Sequence, residues 1–469
     1  MESKSADITV VYIGFRCVAD AVKQWGMTNP VVDSSEIEVT PDYQAVIEAI
    51  ERYDPYIFVS GKAGTGKTTL IGYLRETIPG NVVVVAPTGV AALQVRGVTI
   101  HSFFRLPPRL IFPEEDIKPL RDKRLYKDIR LLIIDEISMV RADVVDAIDL
   151  FLRENGPQKG KPFGGIQVMF VGDLFQLPPV VSSGDMQVLA DRGYEGPYFF
   201  CAMALHRKDV TMVELSKIFR QKDEHFADLL NRIRINHDID EALDTLNAHC
   251  YRADQELDEE TITLTTTNAR ADQINGAGLR AITNEVKVYT GKTTGKFNVD
   301  ERNLPSANNL ALKVGAKVMF TATDPNFPKR WVNGTIGVVR EMLADKVKVM
   351  VKNGPYSNTV EVTGHQWESY RYDHDMMSGK ISPSIIGTYV QIPLMLAWAV
   401  TIHKSQGKTL DKVKVDLSSG AFASGQVYVA LSRCKTIEGI SLQRPIDPRD
   451  VSCDQEIKRF YLNCLPSSK

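Results

Sequence analysis

The run Val59-Ser-Gly-Lys-Ala-Gly-Thr-Gly-Lys-Thr-Thr69 constrains this chain more than any other. Gly61, Gly66, Lys67 and Thr68 fill the spacing G-x-x-x-x-G-K-S/T, behind an apolar strand at 56–59 and ahead of a helix expected over 69–75. Gly61, Gly64 and Gly66 let the backbone curl until its N–H groups converge, and the helix N-terminus adds positive potential. A merely Gly-rich turn has no need of Lys67 and Thr68 together. The pair points to ATP with Mg²⁺, Lys67 reaching the β and γ phosphates and the Thr68 hydroxyl reaching the metal. Ala63, Thr65 and Thr69 complete the expected phosphate cradle.

The companion run is Leu131-Leu-Ile-Ile-Asp-Glu136, a buried strand that delivers two carboxylates at its end. Asp135 is expected to hold Mg²⁺, and Glu136 to polarise the attacking water. A third strand, 166–171, runs into Gly172-Asp-Leu-Phe-Gln176, where Gln176 is placed to sense the γ phosphate. Together with 82–85 these apolar runs, separated by helical stretches, predict a parallel sheet covered on both faces. An amphipathic helix is expected over 138–153. Ahead of the P-loop strand, Thr40-Pro41 caps and opens a helix carrying Gln44, which reads equally well as an adenine contact or a solvated side chain.

Composition sets outer bounds. At 469 residues the chain exceeds one ordinary core, and its 43% hydrophobic and 24% charged content is that of a soluble globular protein. A net charge of −2 leaves no global footprint for a polyanion, so any such site must be a local patch. The six cysteines are scattered without metal-ligand spacing, which fits reduced thiols and not zinc. No apolar run is long enough to span a bilayer. The moderately apolar stretch 8–22 is interrupted by Arg16 and Asp20 and is read as part of an N-terminal extension, 1–36, and not as a signal peptide.

Further anion sites follow downstream. The strand 82–85 empties into Thr88-Gly89 at a helix start, and Thr99-Ile-His-Ser-Phe-Phe104 sets His101 between hydroxyls and beside aromatics. Phe103 is taken as a base-stacking candidate, with one of the two phenylalanines expected in the core. The Pro-rich, charged stretch 105–127 reads as a surface excursion. A second half begins near 213 and repeats the layout: the strand 261–267 meets Asn268 as an N-cap ahead of a helix over 269–276, beside Thr266. Thr401, His403, Lys404 and Ser405 share one polar loop suited to phosphates. Arg220 and Arg433 are candidate fingers to the γ phosphate, although an isolated arginine is more often a salt-bridge residue. Residues 286–388 lose helical periodicity and read as a small β-barrel-like insertion. Its Lys313, Lys317, Lys329, Arg330 and Trp331 read evenly as a nucleic-acid contact or a solvated face.

The segments GKAGTGKT, APTGVAAL, TIHSFF, IIDEISM, GDLFQLPPV, LSKIFRQ, TIHKSQG and VYVALSRCK together resemble superfamily 1 helicases of the 5′→3′ group, RecD-like and PIF-type (petite integration frequency). Residues 138–153 with 162–167 look like the PIF signature. The resemblance covers 40 to about 445. It implies an α/β fold of two RecA-like parallel-sheet P-loop domains: 37–205 as domain 1A, with a 1B wedge at about 102–127; 206–285 with 389–469 as domain 2A; 286–388 as an SH3-like 2B insertion. It implies Gln44 on adenine, Arg220 and Arg433 on the γ phosphate, and Thr88, His101, Thr266, Thr401 and His403 on single-stranded DNA. The function implied is an ATP-dependent 5′→3′ DNA helicase of genome maintenance, repair, recombination or telomere maintenance. Its expected partners are single-stranded, forked or tailed DNA, G-quadruplexes or RNA–DNA hybrids, and no membrane. The expected state is a monomer, in the cytoplasm of a bacterium or the nucleus or mitochondrion of a eukaryote. Rival readings are a protein-remodelling P-loop ATPase, a DNA-binding module with a vestigial site, and a translocase subunit of a RecD-like recombination complex.

Overall fold

A computed structural model describes residues 37–205, 210–220, 223–251, 261–297, 299, 301, 304–326, 329–353 and 356–464. The extension 1–36 lies outside them.

The first unit is built on six parallel strands: β1 (Tyr56–Gly61), β2 (Asn81–Ala86), β3 (Val98–Thr99), β4 (Ile129–Ile134), β5 (Gln167–Gly172) and β6 (Val210–Leu215), in the order β3-β2-β4-β5-β1-β6. The four apolar runs become its interior strands, buried on both faces as near-continuous hydrophobic strands must be. β6 pairs with β1, so a boundary at 205/206 is too early. Val210–Leu215 is only half-buried at an edge, and a mixed sequence of that kind gives little strand signal alone.

Helices α1 (Pro41–Glu51), α2 (Lys67–Thr77), α3 (Gly89–Gln94), α4 (Ile100–Phe104) and α5 (Ala142–Asn155) flank this sheet. Thr40 caps α1, its hydroxyl accepting from Tyr43 N at 3.3 Å, as the sequence predicts. The stretch 105–127 is less of an excursion than expected, because Leu106, Ile111 and Tyr126 enter the core. Carboxylate and amide oxygens on α5 hold its backbone: Asp143 accepts from Ile111 N at 3.1 Å, and Asn155 from Leu120 N at 2.8 Å.

The second unit contributes α6 (Glu224–Ile235), α7 (Ile239–Cys250), strand β7 (Ile262–Thr265) and α8 (Asn268–Ala281). The N-cap of α8 is Thr267, accepting from Arg270 N at 3.3 Å, and not Asn268. Ten antiparallel strands are then inserted: β8 (Lys287–Thr290), β9 (Lys292–Gly295), β10 (Asn309–Leu312), β11 (Lys317–Phe320), β12 (Ile336–Met342), β13 (Lys346–Asn353), β14 (Tyr356–Thr363), β15 (His365–His374), β16 (Ile381–Gln391) and β17 (Leu394–Leu396). They form a five-stranded sheet β14-β13-β12-β11-β17, a three-stranded sheet β15-β16-β9 and the pair β10-β8. The chain returns through β18 (Ala399–Thr401), α9 (Ile402–Ser405), β19 (Val413–Asp416), α10 (Gln426–Leu431) and β20 (Ile440–Leu442), completing a parallel sheet β18-β7-β19-β20. No helix among the described residues is long and apolar enough to cross a membrane.

Two segments leave their expected domains. The β15–β16 hairpin reaches across to the first unit, where β3 is only two residues long and leaves part of the β2 edge open. There the Tyr372 hydroxyl accepts from Val84 N and from Arg75 Nη2, both at 2.9 Å, while Asn81 bonds Gly379 O and Ile381 N at 2.9 and 2.8 Å. The last helix, α11 (Gln455–Cys464), also returns to the first unit: Phe460 stacks on Phe200 at 4.3 Å with an interplanar angle of 5°.

Of the insertion's candidate DNA contacts, Lys317 is buried with its ammonium on Thr261 O, and Lys313 donates to Ile282 O at 2.7 Å. Trp331 is buried against Phe320. Arg330 forks onto Asp324 and Lys329 stays exposed, so most of this set serves the fold.

Candidate active site

All the phosphate-site segments leave the C-terminal ends of parallel strands, where a crevice opens in sheets of this type. The P-loop joins β1 to α2, Asp135 and Glu136 follow β4, and Gln176 follows β5. Gly66 caps α2 at φ 84°, and Gly64 sits at φ 86°. Each also meets a close neighbour: a Cβ on Gly64 would lie 2.4 Å from Arg220 Cβ, and one on Gly66 would lie 2.6 Å from the Tyr43 hydroxyl. Only glycine satisfies both the conformation and the space.

A cavity of about 1120 Å³ opens over this loop. Lys67, Glu136 and Gln176 of the first unit line it together with Arg220, on the segment just past β6, and Arg433, on a loop of the second unit. Lys67 folds back over the loop, donating to Gly61 O at 2.6 Å and Lys62 O at 3.1 Å, and burial lowers its pKa against the pull of Asp173, Glu136 and Asp135. Burial raises Glu136 as well, and its backbone is left-handed at φ 48°, a strained setting for a residue with a side chain. Desolvation and the Glu136 charge push Asp135 up to about 7. Arg433 is buried, its guanidinium spread over Val429 O, Ser432 Oγ, Ser405 O and Lys408 O without a carboxylate partner in contact. Burial and the neighbouring Arg220 lower it to about 9, so it remains charged at neutral pH and faces the cavity with unspent potential.

A second network, not anticipated from the sequence, ties the two units together behind this cavity. Asp173 on the β5 loop receives Arg234 Nε and Nη2 from α6 at 3.1 and 3.0 Å, with both side chains almost fully buried. Burial opposes ionisation of Asp173, but Arg234 and Lys67 outweigh it and hold the carboxyl below its usual range. The other Asp173 oxygen accepts from the Tyr428 hydroxyl at 3.1 Å and from Gln176 Nε2 at 3.4 Å. Gln406 then bridges Gln176 Oε1 at 3.2 Å and Glu136 Oε2 at 3.1 Å. A sequence signal for Arg234 did exist: it falls four positions after Leu230 on the buried face of α6, where an arginine requires a partner.

Gln44 is the clearest departure on the nucleotide side. It is exposed, donates to Glu48 Oε1 at 3.3 Å and does not line the cavity, whereas its neighbour Tyr43 does.

On the nucleic-acid side, Thr88 and Thr401 cap α3 and α9, accepting from Ala91 N at 3.2 Å and Lys404 N at 3.3 Å. Their hydroxyl protons remain available to a phosphate. Thr99 and Thr267 cap α4 and α8 in the same way, so each unit ends two adjacent strands, β2–β3 and β7–β18, in threonine-capped helix starts. Gly89, His101, Thr266, Asn268 and His403 belong to these starts, and Lys404 is exposed on the last of them. Burial lowers both His101 and His403, which keeps them neutral near pH 7. Two candidates drop out. Phe103 is only 5% exposed, wedged edge-on among Phe104, Tyr126 and Tyr372, so both phenylalanines are core. Ser405 is fully buried with its hydroxyl on Ile402 O.

Comparison with known proteins places this geometry in context. Residues 38–243 match the model of the PIF1-like helicase family. The chain is 32% identical over 448 residues to the ATP-dependent DNA helicase Pif1 of Bdellovibrio bacteriovorus, covering 93% of this chain and 94% of that protein. It spans 60% of the longer mouse PIF1, also at 32% identity. A crystal structure of Bacteroides sp. Pif1 with ADP-AlF4 superposes with a TM-score of 0.82 at 37% identity, over 91% of this chain and 98% of that one. The same helicase bound to single-stranded DNA gives 0.65 at 37% identity, covering 91% and 97%.

Proposed function

The chain belongs to the PIF1-like helicase family, and from that premise we propose that it is an ATP-dependent DNA helicase that moves 5′→3′ along single-stranded DNA and opens duplexes ahead of it. The observation that carries this reading is the shared cavity. Lys67, Glu136 and Gln176 come from one parallel-sheet unit, Arg220 from the segment just past its edge strand β6, and Arg433 from the other unit, so a triphosphate held there draws the units together and its hydrolysis lets them part. Threonine-capped helix starts on both units then grip the DNA backbone alternately.

In this reading Lys67 and the P-loop N–H groups bind the phosphates, Glu136 activates the attacking water, Gln176 orients it, and Arg220 and Arg433 neutralise charge on the γ phosphate. Thr68 and Asp135 would hold Mg²⁺. The residues fit that ion: Asp135 is a buried carboxylate whose pKa is raised because burial and the Glu136 charge outweigh the pull of Lys67, a setting that a divalent cation relieves. When bound, the metal screens the phosphate oxygens. The stretch 102–127 is assigned as the strand-splitting wedge, and 286–388 as an SH3-like module that contacts DNA. A monomer acting on forked or tailed DNA, G-quadruplexes or RNA–DNA hybrids completes the assignment, in the cytoplasm of a bacterium or the nucleus or mitochondrion of a eukaryote.

The test is ATP-dependent unwinding of a duplex with a 5′ single-stranded tail against one with a 3′ tail, with Lys67→Ala as control. Unwinding of the 5′-tailed substrate alone, lost in the variant, is expected. Unwinding from the 3′ tail overturns the polarity, and ATP hydrolysis without strand separation removes the wedge assignment.

A further inference from the structure

We propose that Tyr428 is a positioning residue of the ATPase site, which sets the P-loop at Ala63 from the opposite unit and carries nucleotide occupancy to the interface. The inference rests on the ATPase reading above and goes beyond it by assigning a residue outside the phosphate-binding set. Three observations support it. The Tyr428 hydroxyl accepts from Ala63 N at 3.2 Å, so a donor of the phosphate-binding loop is held by a side chain of α10. The same hydroxyl donates to Asp173 Oδ2 at 3.1 Å, and Asp173 is itself fixed by the Arg234 fork. Arg234 lies over the Phe175 ring at 4.3 Å and near Tyr461 of α11 at 5.4 Å, which leaves the guanidinium no alternative position.

The arrangement makes the hydroxyl directional. Its proton is committed to a carboxylate, so only its lone pairs face the P-loop, and they present the Ala63 N–H with the kind of acceptor that a phosphate oxygen also offers. With no phosphate bound, the N–H is therefore satisfied and the loop is held in shape. An arriving triphosphate meets a preformed cradle whose far wall belongs to the other unit. Asp173 also receives Gln176 Nε2, so the group that braces the loop braces the γ-phosphate sensor as well. Removing the hydroxyl leaves Ala63 N–H without this partner but keeps the Asp173–Arg234 pair and Gln176 in place.

Tyr428→Phe retains the ring and tests the hydroxyl alone. Steady-state ATP hydrolysis with saturating oligo-dT is measured alongside the equilibrium affinity for fluorescent ADP without DNA. The variant gives up two hydrogen bonds, the neutral one from Ala63 N–H and the one donated to the Asp173 carboxylate; loss of the first, which alone touches the loop, predicts a rise of roughly fivefold in both KM for ATP and Kd for ADP, with kcat within twofold of the parent. Affinity is read from concentration dependence, so a reduced folded fraction does not disguise the result. Unchanged KM and Kd overturn the proposal, as does a fall in kcat at constant KM, which would assign the hydroxyl to general packing. A parent chain that binds ADP and hydrolyses no ATP would instead defeat the ATPase reading, while the ADP arm would still decide the role of Tyr428.

Discussion

Asp135 follows the buried end of β4 with Glu136 beside it, and its proton affinity is correspondingly high. The folded-state pKa of about 7 stands above the ordinary 3.8, so the folded chain keeps a proton that the unfolded chain releases. The contribution to stability is therefore complete below pH 3.8 and is lost as pH rises through 7. Asp135→Asn removes that penalty. Without nucleotide or metal, its melting temperature at pH 8 should exceed the parent's by about 2 °C or more, and the gain should vanish toward pH 4. Magnesium-dependent ATP hydrolysis should fall on the order of 100-fold or more. A lower melting temperature at pH 8 would mean that the carboxylate has a protein partner. Residues of this kind were legible in the sequence because a glycine loop, a lysine and strand-end acids keep fixed spacings. Asp173 and Tyr428 were not, and Arg234 announced only that it needed a buried partner and not which one, since their association depends on two units meeting. For Gln44 the sequence left an adenine contact and a solvated side chain equally open; in the structure α1 turns Tyr43 toward the cavity while Gln44 is exposed on Glu48.

At the scale of elements, the β15–β16 hairpin replaces the missing outer part of β3. An uncovered strand edge is a template for unwanted pairing, and Tyr372 closes it with one hydroxyl and a ring packed against Phe103. Tyr372→Ala should cost about 3–5 kcal/mol, from the cavity left by the ring and the exposed Val84 N–H. Chemical denaturation followed at the first unit would show it, together with faster hydrogen exchange at Val84. Loss of less than about 1 kcal/mol would mean that the hairpin merely rests on the sheet. The hairpin was not legible beforehand. Its residues 365–391 mix aromatic, charged and small side chains, and only the partner surface decides which face is buried. The parallel strands, by contrast, announced themselves, because burial on both faces leaves little besides Val, Ile, Leu and Phe.

At the scale of the whole molecule, the groups proposed to hold DNA are helix starts, hydroxyls and histidines, with Lys404 as the exposed cation among them. A chain of net charge −2 that binds phosphates this way displaces few counterions. The logarithm of its affinity for oligo-dT plotted against that of salt concentration should have a slope of about −1 to −2, and one beyond about −4 would require a cationic groove elsewhere. Acidification should strengthen binding only below the ordinary histidine value of 6.5, since His101 and His403 are both held lower. The two-unit plan was legible from the repeated strand-to-threonine pattern. The exchange of segments between units was not, because β6 and α11 carry no motif that says which sheet they join.

That exchange has a temporal side. The nucleotide motifs emerge before most of the second unit, yet Phe58 of the P-loop strand packs against Phe460, far later in the chain. At ~5–20 residues per second, about 400 further residues take roughly 20–80 s to synthesise. Throughout that interval the nascent first unit lacks its aromatic plug, and until residues 365–391 have emerged it also lacks the hairpin that shields β2. A folding domain in that condition offers chaperones an apolar socket and an open sheet edge, and the P-loop strand is fully packed only once α11 has emerged.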